Sequence, residues 1–446
     1  KSSLSLIDMN YWNLLNDRKM ISVLSVKDAG DNVVIAGWVY DQRDLGKIRF
    51  LVLRDFSGEI QVTSHKDKSS KEVFDLMQKV SRESVVLISG KIQKSEKASG
   101  GREIVPEHFE ILSPAEHPLP IDVSDFSKTE LPKRLDYRYV DFHRRRAQAI
   151  FKIQHTISTS FREFFVKEGF IEMQPPCLIG VASEGGADVF KVKYFEREAC
   201  LAQSPQLYKE MVACSMEKTF MITPVWRAEK HNTVRHINEI RQMDIECSFM
   251  SQMDVMKLQE KCVQHIVSEV IKKNKSEIEL LGLKFKVPSA KYIHYDETIA
   301  ILEKAGLKIA IGDDLSPEAE KKLGEIYPDT LVFVHSWPSS LKPFYIMPKD
   351  ANSNAEYSEG FDCIYKGLEI SSGGQRIHLP ELLLARIKHK GMKTDGLMDY
   401  VNSFKYGAPP HSGWSIGLER LTMLLCELDN VREATMFPRD RDRLTP

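Results

Sequence analysis

Apolar residues recur along this chain with two different periods, and the change from one to the other divides it. Between about residues 21 and 113, runs such as "NVVIAGWVYDQ", "IRFLVLRDFSGEIQVTS", "ESVVLISGKIQ" and "REIVPEHFEIL" alternate apolar and polar positions between turn residues. A period of two predicts five β-strands, with "SKEVFDLMQKV" as a helical insert. That is the pattern of a small five-stranded barrel of the OB kind, a fold that often binds single-stranded nucleic acid. The following stretch, "SPAEHPLPIDVSDFSKTELPKRLDYRYVD", is rich in proline and charge and poor in apolar periodicity, so residues 114–148 are expected to form an inter-domain hinge.

A helical period then takes over. In "AQAIFKIQHTISTSFREFFVKEGF" the apolar residues at 150, 151, 153, 157, 161, 164 and 165 fall on one side of a long amphipathic helix. Beyond it helices and strands mix without a βαβ rhythm, which predicts an α+β domain over 149–446 built on an antiparallel sheet flanked by helices. Residues 291–327 read as a helical, polar-faced, peripheral insertion.

Composition narrows the function classes. The 446 residues suit about two or three domains, and 42% hydrophobic with 28% charged residues is ordinary for a globular protein. Lys and Arg number 62 against 63 Asp and Glu, so a nucleic-acid partner must be held by local basic surfaces such as "YRYVDFHRRR" rather than by a global field. The seven cysteines form no CxxC pair, which suits reduced thiols and gives no sign of a structural zinc site. No apolar run approaches the roughly 20 residues that span a bilayer, the N-terminus lacks a signal-peptide pattern, and a cytoplasmic location is expected. Residues 1–20 are set apart as an extension with no assigned role.

Four segments carry candidate chemistry. In "SPQLYKEMVACS", Ser204 is expected to cap a helix with Pro205 in its first turn. Leu207, Met211 and Cys214 then share one face, and Gln206 and Lys209 another. "VWRAEKHNTVRHINEIRQMDIE" places Arg227, Glu229, Arg235 and His236 on one hairpin and Asp244 and Glu246 on its second strand. Arginine's planar, permanently charged donors suit phosphate oxygens. "FDCIYKGLEISSGGQRIH" offers Asp362 and Glu369 as hard oxygen ligands for Mg²⁺, with Ser372 and Arg376 beside them. "GWSIGLERLTMLL" reads as strand, glycine, helix, with Arg420 in the first turn at the positive end of the dipole. Each segment alone has an ordinary structural explanation, as a solvated face, a salt-bridged hairpin or a β-turn.

Taken in order, these segments resemble the class II aminoacyl-tRNA synthetases, and among them the aspartyl-tRNA synthetases of archaeal and eukaryotic type. "GFIEMQPP", "WRAEKHNTVRH" and "GWSIGLERLTMLL" look like that family's three motifs, and the likeness runs over nearly the whole chain from about residue 30. The resemblance implies a homodimer with Pro176 near its interface. It implies that Lys209 and Arg376 meet the side-chain carboxylate of aspartate, while Glu184, Gln206 and Asp244 receive the α-amino group and Arg227 and Ser372 complete the aspartate site. ATP falls to Arg227, Glu229, Arg235, His236, Ile237, Glu369, Gly417, Leu418, Glu419 and Arg420, with Arg227, Glu369 and Arg420 catalytic and Mg²⁺ on Asp362, Glu369 and Ser372. Ile240 stands where many relatives have an aromatic residue.

In the barrel the resemblance makes Phe50 a stacking platform for an anticodon base, with Arg43, Gln61 and Glu103 reading base edges and Tyr40 at a position bearing on tRNA discrimination. The expected activity is ligation of aspartate to tRNA(Asp), with tRNA(Asn) as a second acceptor of a relaxed enzyme. The competing readings are an asparaginyl-tRNA synthetase relative, which usually has an apolar residue where Lys209 stands, a non-catalytic RNA-binding paralogue using only the barrel, and a tRNA-independent amide ligase.

Overall fold

The computed structural model describes residues 11–180, 189–230 and 232–446. The chain divides into two compact units between Pro120 and Ile121.

The first unit is a closed five-stranded barrel. Strands β1 (Asn32–Asp44), β2 (Ile48–Asp55), β3 (Gly58–His65), β4 (Val85–Lys94) and β5 (Arg102–Ser113) close in the order β1-β2-β3-β5-β4. Alternation fills it: Val39, Leu51, Leu53, Val62, Ile88 and Ile104 are buried in one cluster, while Phe50 and Val52 face outward into a surface pocket. The helix Lys71–Lys79, capped by Ser70, packs Val73 and Met77 on that cluster. Residues 114–117 stay with the barrel, since the Ala115 amide donates to Ser84 Oγ at 3.0 Å and His117 Nε2 lies 2.9 Å from the Arg82 carbonyl.

The second unit begins earlier than the proline and charge pattern suggested. From Ile121 onward the expected hinge belongs to this unit and carries the helices Leu131–Asp136 and Arg138–Asp141. Its charges are internal. Buried Asp141 accepts from Arg134 Nε at 2.9 Å, Arg138 Nη1 at 2.5 Å and Arg144 Nη1 at 3.2 Å. Arg138 also donates to the carbonyls of Glu433, Thr435 and Met436. Charged residues without apolar periodicity look like a solvated linker, but here they form a satisfied ion network that ties the start of the unit to its end. Two arginines of the supposed basic surface, Arg138 and Arg144, are therefore buried, and only Arg145 and Arg146 are exposed.

The scaffold is an eight-stranded sheet in the order β12-β13-β14-β15-β16-β11-β10-β6. Its members are β6 (Ile171–Glu172), β10 (Lys218–Trp226), β11 (Glu239–Ser248), β12 (Ser289–His294), β13 (Thr330–His335), β14 (Gly360–Tyr365), β15 (Leu368–Gln375) and β16 (His411–Gly417). All neighbours are antiparallel except the outer pairs β6/β10 and β12/β13. A smaller sheet, β7 (Leu178–Ile179), β8 (Lys191–Tyr194) and β9 (Arg197–Leu201), runs in the order β7-β9-β8. One face of the large sheet is covered by the helices Arg145–Lys167 and Gln252–Lys273, which bury Ile153, Phe161, Phe165, Val263 and Ile266 against Phe220, Ile245, Phe361 and Trp414.

The segment 291–327 is only partly helical. Its first residues are strand β12 on the sheet edge, and the helices Tyr295–Lys304 and Pro317–Ile326 bury Ile299, Leu302, Ala319 and Leu323 in their own cluster with Val332 and Ile364.

Candidate active site

The large sheet's second face holds the site, and the period of two decides which residues reach it. Along β11, Met243, Ile245 and Cys247 enter the helical core, so Gln242, Asp244 and Glu246 point the other way. Along β16, Trp414 and Ile416 are core, and Ser415 and Gly417 line the cavity. Strand β15 would fail this rule without a bulge. Asp362 pairs with Ser372 and Cys363 with Ser371, but Ile364 pairs with Glu369. The extra residue returns Glu369 to the face of Ser372, whereas an unbroken strand would turn it into the core with Ser371.

The cavity, about 290 Å³, has two ends. At the first, the helix Gln206–Met216 is anchored by Leu207, Met211 and Cys214, which pack against a cluster containing Phe344 and Ile377. Pro205 is its N-cap rather than a first-turn residue, and Ser204 Oγ accepts from the Gln206 amide at 3.3 Å. This anchoring turns Gln206 and Lys209 to the cavity. Lys209 is fully buried, with Nζ 2.8 Å from Asp244 Oδ1 and 3.6 Å from Glu246 Oε2. Arg376, also buried, donates to Glu246 through Nε at 3.1 Å and Nη2 at 3.3 Å. Room for Glu246 comes from Gly413, where an added Cβ would sit 2.3 Å from Glu246 Oε2. Two cations thus stand on the cavity wall, each held from behind by a carboxylate, and Ser415 Oγ completes Asp244 at 3.1 Å.

The other end is an arginine-rich mouth of Arg227, Glu229, Arg235, His236, Ile237, Ile240, Gly417, Glu419 and Arg420. Arg227 Nη1 lies 3.9 Å from Glu229 Oε1 and keeps 40% side-chain exposure, so it is available to an anion. Thr233 Oγ1 and His236 Nδ1 are 2.6 Å apart. Arg420 Nη1 donates to the Glu369 carbonyl at 2.9 Å, which aims the guanidinium along β15. Both oxygens of Glu419 accept from the Arg241 amide at 3.0 Å, and burial pushes its pKa up to about 7. Ile240 packs its aliphatic side chain against the cluster of Ile237, Met423 and Val431.

Not every expected residue reaches the cavity. Leu418 is turned into the helical core, as its place between Gly417 and Glu419 on a helix start requires. Asp362 is on the correct face but bonded to Lys342 Nζ, whose stem lies over Gly360, and it does not line the cavity. Glu184 lies outside the described residues. Among the described residues no group of three or more His, Cys, Asp or Glu side chains forms a metal cage. What remains for a hard cation is Glu369 with Ser372. The Glu369 pKa is raised to about 7 by burial first and by the charge of Asp362 second, so the carboxylate lacks charge compensation that a cation would supply.

Glu246 was legible in "QMDIE", two residues beyond Asp244 and hence on its face. Glu320 carried no such signal. It belongs to the segment expected to be peripheral, yet its Oε2 accepts from the Glu369 amide at 3.2 Å and lies 3.7 Å from Arg235 Nη1.

The barrel has its own pocket, lined by Arg43, Phe50, Gln61, Thr63, Lys97 and Glu103 among others. Arg43 pairs with Phe50 and Phe50 with Thr63 across β1, β2 and β3, while Gln61 pairs with Glu103. Glu103 Oε2 accepts from Gln61 Nε2 at 2.7 Å and Thr63 Oγ1 at 2.6 Å. Phe50 therefore stands on an outer face among polar groups rather than in the barrel core. Tyr40 is not part of this pocket: it sits at the β1 bulge with its ring 3.7 Å from the Arg54 guanidinium.

Comparison with known proteins agrees with this two-part arrangement. The profile of tRNA synthetases class II (D, K and N) matches residues 130–441, and that of the OB-fold nucleic acid binding domain matches residues 33–112. The aspartate–tRNA(Asp/Asn) ligase of Methanocaldococcus jannaschii is 46% identical over 94% of this chain and 95% of its own. The aspartate–tRNA(Asp) ligase of Thermoplasma volcanium is 42% identical over 96% of this chain and 100% of its own. Among solved structures, Pyrococcus horikoshii asparaginyl-tRNA synthetase with asparaginyl-adenylate superposes with a TM-score of 0.91 at 34% identity, covering 96% of this chain and 99% of that one. Aspartyl tRNA synthetase from Entamoeba histolytica gives 0.85 at 32% identity, covering 96% and 92%. With a profile match across most of its length and relatives this similar end to end, the chain belongs to the class II tRNA synthetases of the D, K and N group.

Proposed function

We infer that the protein is an aspartate–tRNA ligase, which activates L-aspartate with ATP and transfers it to the 3′ end of tRNA(Asp). The observation that carries the amino-acid choice is the pair of buried cations, Lys209 and Arg376, on one cavity wall. An asparagine side chain would turn a neutral amide, whose NH₂ only donates, against two cations that also only donate. Sites built around such a polar requirement discriminate by roughly 10⁴ to 10⁵, because the mismatch leaves buried groups unpaired. Asparaginyl enzymes share the backbone, so the charges rather than the fold favour aspartate.

In this reading Lys209 and Arg376 take the side-chain carboxylate, and Gln206 and Asp244 receive the α-amino group. Arg227 draws the α-carboxylate and the α-phosphate of ATP together. The carboxylate attacks the α-phosphorus in line and pyrophosphate leaves, with Arg227 and Arg420 stabilising the charge that develops. Arg235, His236 and Glu229 frame the nucleotide. Glu369 and Ser372 suit Mg²⁺, which would neutralise phosphate charge when bound. The tRNA 3′-terminal hydroxyl then takes the aspartyl group and AMP departs. No protein nucleophile is needed.

The barrel pocket offers the anticodon a ring, Phe50, and base-edge partners in Arg43, Gln61 and Glu103. The archaeal relatives named for both tRNAs favour charging of tRNA(Asn) as well. A cytoplasmic homodimer with Pro176 near its interface belongs to the same reading, and sedimentation tests the dimer.

The deciding experiment charges purified tRNA(Asp) and tRNA(Asn) in parallel with labelled aspartate, with labelled asparagine as control. Aspartate on both tRNAs is the expected result. Aspartate on tRNA(Asp) alone would make the enzyme strict. Asparagine charging would overturn the substrate assignment, and no aspartate-dependent exchange of pyrophosphate would overturn the activity.

A further inference from the structure

Directly behind the cavity lies a polar group that the steps above do not use. Glu210, next to Lys209 on the helix Gln206–Met216, is fully buried. Its Oε1 accepts from Gln206 Nε2 at 2.5 Å, one helical turn back. Its Oε2 accepts from Tyr400 Oη at 2.6 Å and lies 3.3 Å from His411 Nε2. The other ring nitrogen of His411, Nδ1, is 2.8 Å from the Pro409 carbonyl. Phe404 stacks edge-on against the imidazole, 5.6 Å between ring centroids, and closes the group off.

A neutral imidazole donates from one nitrogen only, but both nitrogens of His411 face acceptors, a carbonyl and a carboxylate. Burial opposes both charges, but the hydrogen bond and charge that each group offers the other hold the Glu210 carboxyl below its ordinary range and His411 above its own, so the pair is an imidazolium with an ionised carboxylate. An ionised carboxylate accepts and never donates, so Gln206 must turn its NH₂ towards Glu210. That leaves the amide oxygen of Gln206 for the cavity it lines.

We propose that Glu210, held ionised by His411 and Tyr400, is a positioning residue that fixes the Gln206 amide with its oxygen towards the substrate, creating the acceptor for the α-ammonium group of the amino acid. This rests on the aspartate-ligase reading and adds to it the residue that orients Gln206 for the amine, separate from the cations that take the side-chain carboxylate. With Glu210→Gln, the neighbour becomes an amide that can donate or accept, and Gln206 can present its NH₂ to a cation.

The test compares aspartate with succinate, which keeps both carboxylates and lacks the amine. Pyrophosphate exchange gives KM for aspartate and ATP and the inhibition constant of succinate, for the wild-type protein and for Glu210→Gln. The expected result is a rise of about tenfold in KM for aspartate, the worth of one hydrogen bond to a charged group, with succinate and ATP unchanged within about twofold. Equal weakening of aspartate and succinate, or no change in either, overturns the proposal. Should Glu210→Gln not fold, Tyr400→Phe removes one donor to Glu210 and makes the same comparison: a smaller rise confined to aspartate supports the proposal, and a shared or absent change overturns it. Wild-type protein without aspartate-dependent exchange would instead defeat the functional reading.

Discussion

Replacing Lys209 by methionine removes a charge while keeping most of the side chain's length, and its effect can be worked from the cavity wall. In the native site Lys209 and Arg376 face Asp244 and Glu246, a balance of two cations and two carboxylates. Lys209→Met leaves one carboxylate in excess just where the substrate's own carboxylate must enter. The lost hydrogen bond to a charged group costs about 1.5–3 kcal/mol. Repulsion between two carboxylates about 5 Å apart adds about 3 kcal/mol at an effective dielectric of about 20. Together these predict a loss of about 10³-fold or more in kcat/KM for aspartate.

Asparagine, with no side-chain charge to repel, escapes the second contribution, so aspartate's advantage should shrink by about two orders of magnitude in pyrophosphate exchange run with each amino acid. Breaking one side of a buried pair also destabilises by about 3–5 kcal/mol, so the folded fraction must be controlled. Lys209→Met with Asp244→Asn removes the cation together with the carboxylate 2.8 Å from it and leaves the Arg376–Glu246 pair intact, and it should recover thermal stability without recovering aspartate activation. A single variant losing less than about tenfold in kcat/KM, at native folded fraction, would refute the assignment of Lys209 to the substrate carboxylate.

Phe50→Ala should lower kcat/KM for tRNA by about 5- to 150-fold, the worth of one base–aromatic stack, and leave aspartate-dependent pyrophosphate exchange untouched; a change in both would place Phe50 in folding rather than in tRNA binding. Gly373→Ala should lower the melting temperature sharply, since the new Cβ would lie 2.6 Å from the Gly413 carbonyl oxygen and Phe361 Cζ inside the sheet, and overpacking there costs about 1–3 kcal/mol. For His411, burial opposes the cation, but the hydrogen bond and charge of Glu210 raise its pKa overall. The stability this gives is fully present below about pH 6.5, the ordinary histidine value, and is lost as pH rises through the raised value in the folded state. The difference in melting temperature between wild type and His411→Gln should therefore be largest near pH 6 and narrow on the alkaline side, and widening there would contradict the ion pair.

Periodicity exposed most of this architecture because both sheets bury one face. Leu51 and Leu53 against Phe50 and Val52 in the barrel, or Met243 and Ile245 against Gln242 and Asp244 in the second unit, are strict alternations with a visible inside and outside. The pattern failed where a polar residue is buried among polar partners. Arg138 and Asp141 looked like linker charge, and Glu320 looked like the outer face of an insertion, because burial compensated by ion pairs leaves no apolar trace in sequence. Asp362 shows the converse: its face was correct by register, but Lys342, twenty positions earlier on a loop, had already taken its carboxylate. The β15 bulge is likewise invisible in "GLEISSGG", although without it Glu369 would point into the core.

These failures share a physical cause that also locates specificity. A backbone common to aspartyl and asparaginyl enzymes, superposing at a TM-score of 0.91 with one of the latter, cannot itself distinguish a carboxylate from an amide. Discrimination must come from charge, and charge in a buried site is set by the whole cluster. Lys209 is compensated by Asp244 and Glu246, Arg376 by Glu246, and Glu210 by His411. Changing one member leaves its neighbour unpaired in a low dielectric, where the penalty exceeds the value of the contact removed. Switching the enzyme towards asparagine therefore requires at least paired changes, one at a cation and one at its buried carboxylate. Lys209→Met with Asp244→Asn is such a pair within this chain. If its remaining activity moves towards asparagine while Lys209→Met alone merely loses stability, specificity resides in the balance of the cluster rather than in Lys209 by itself.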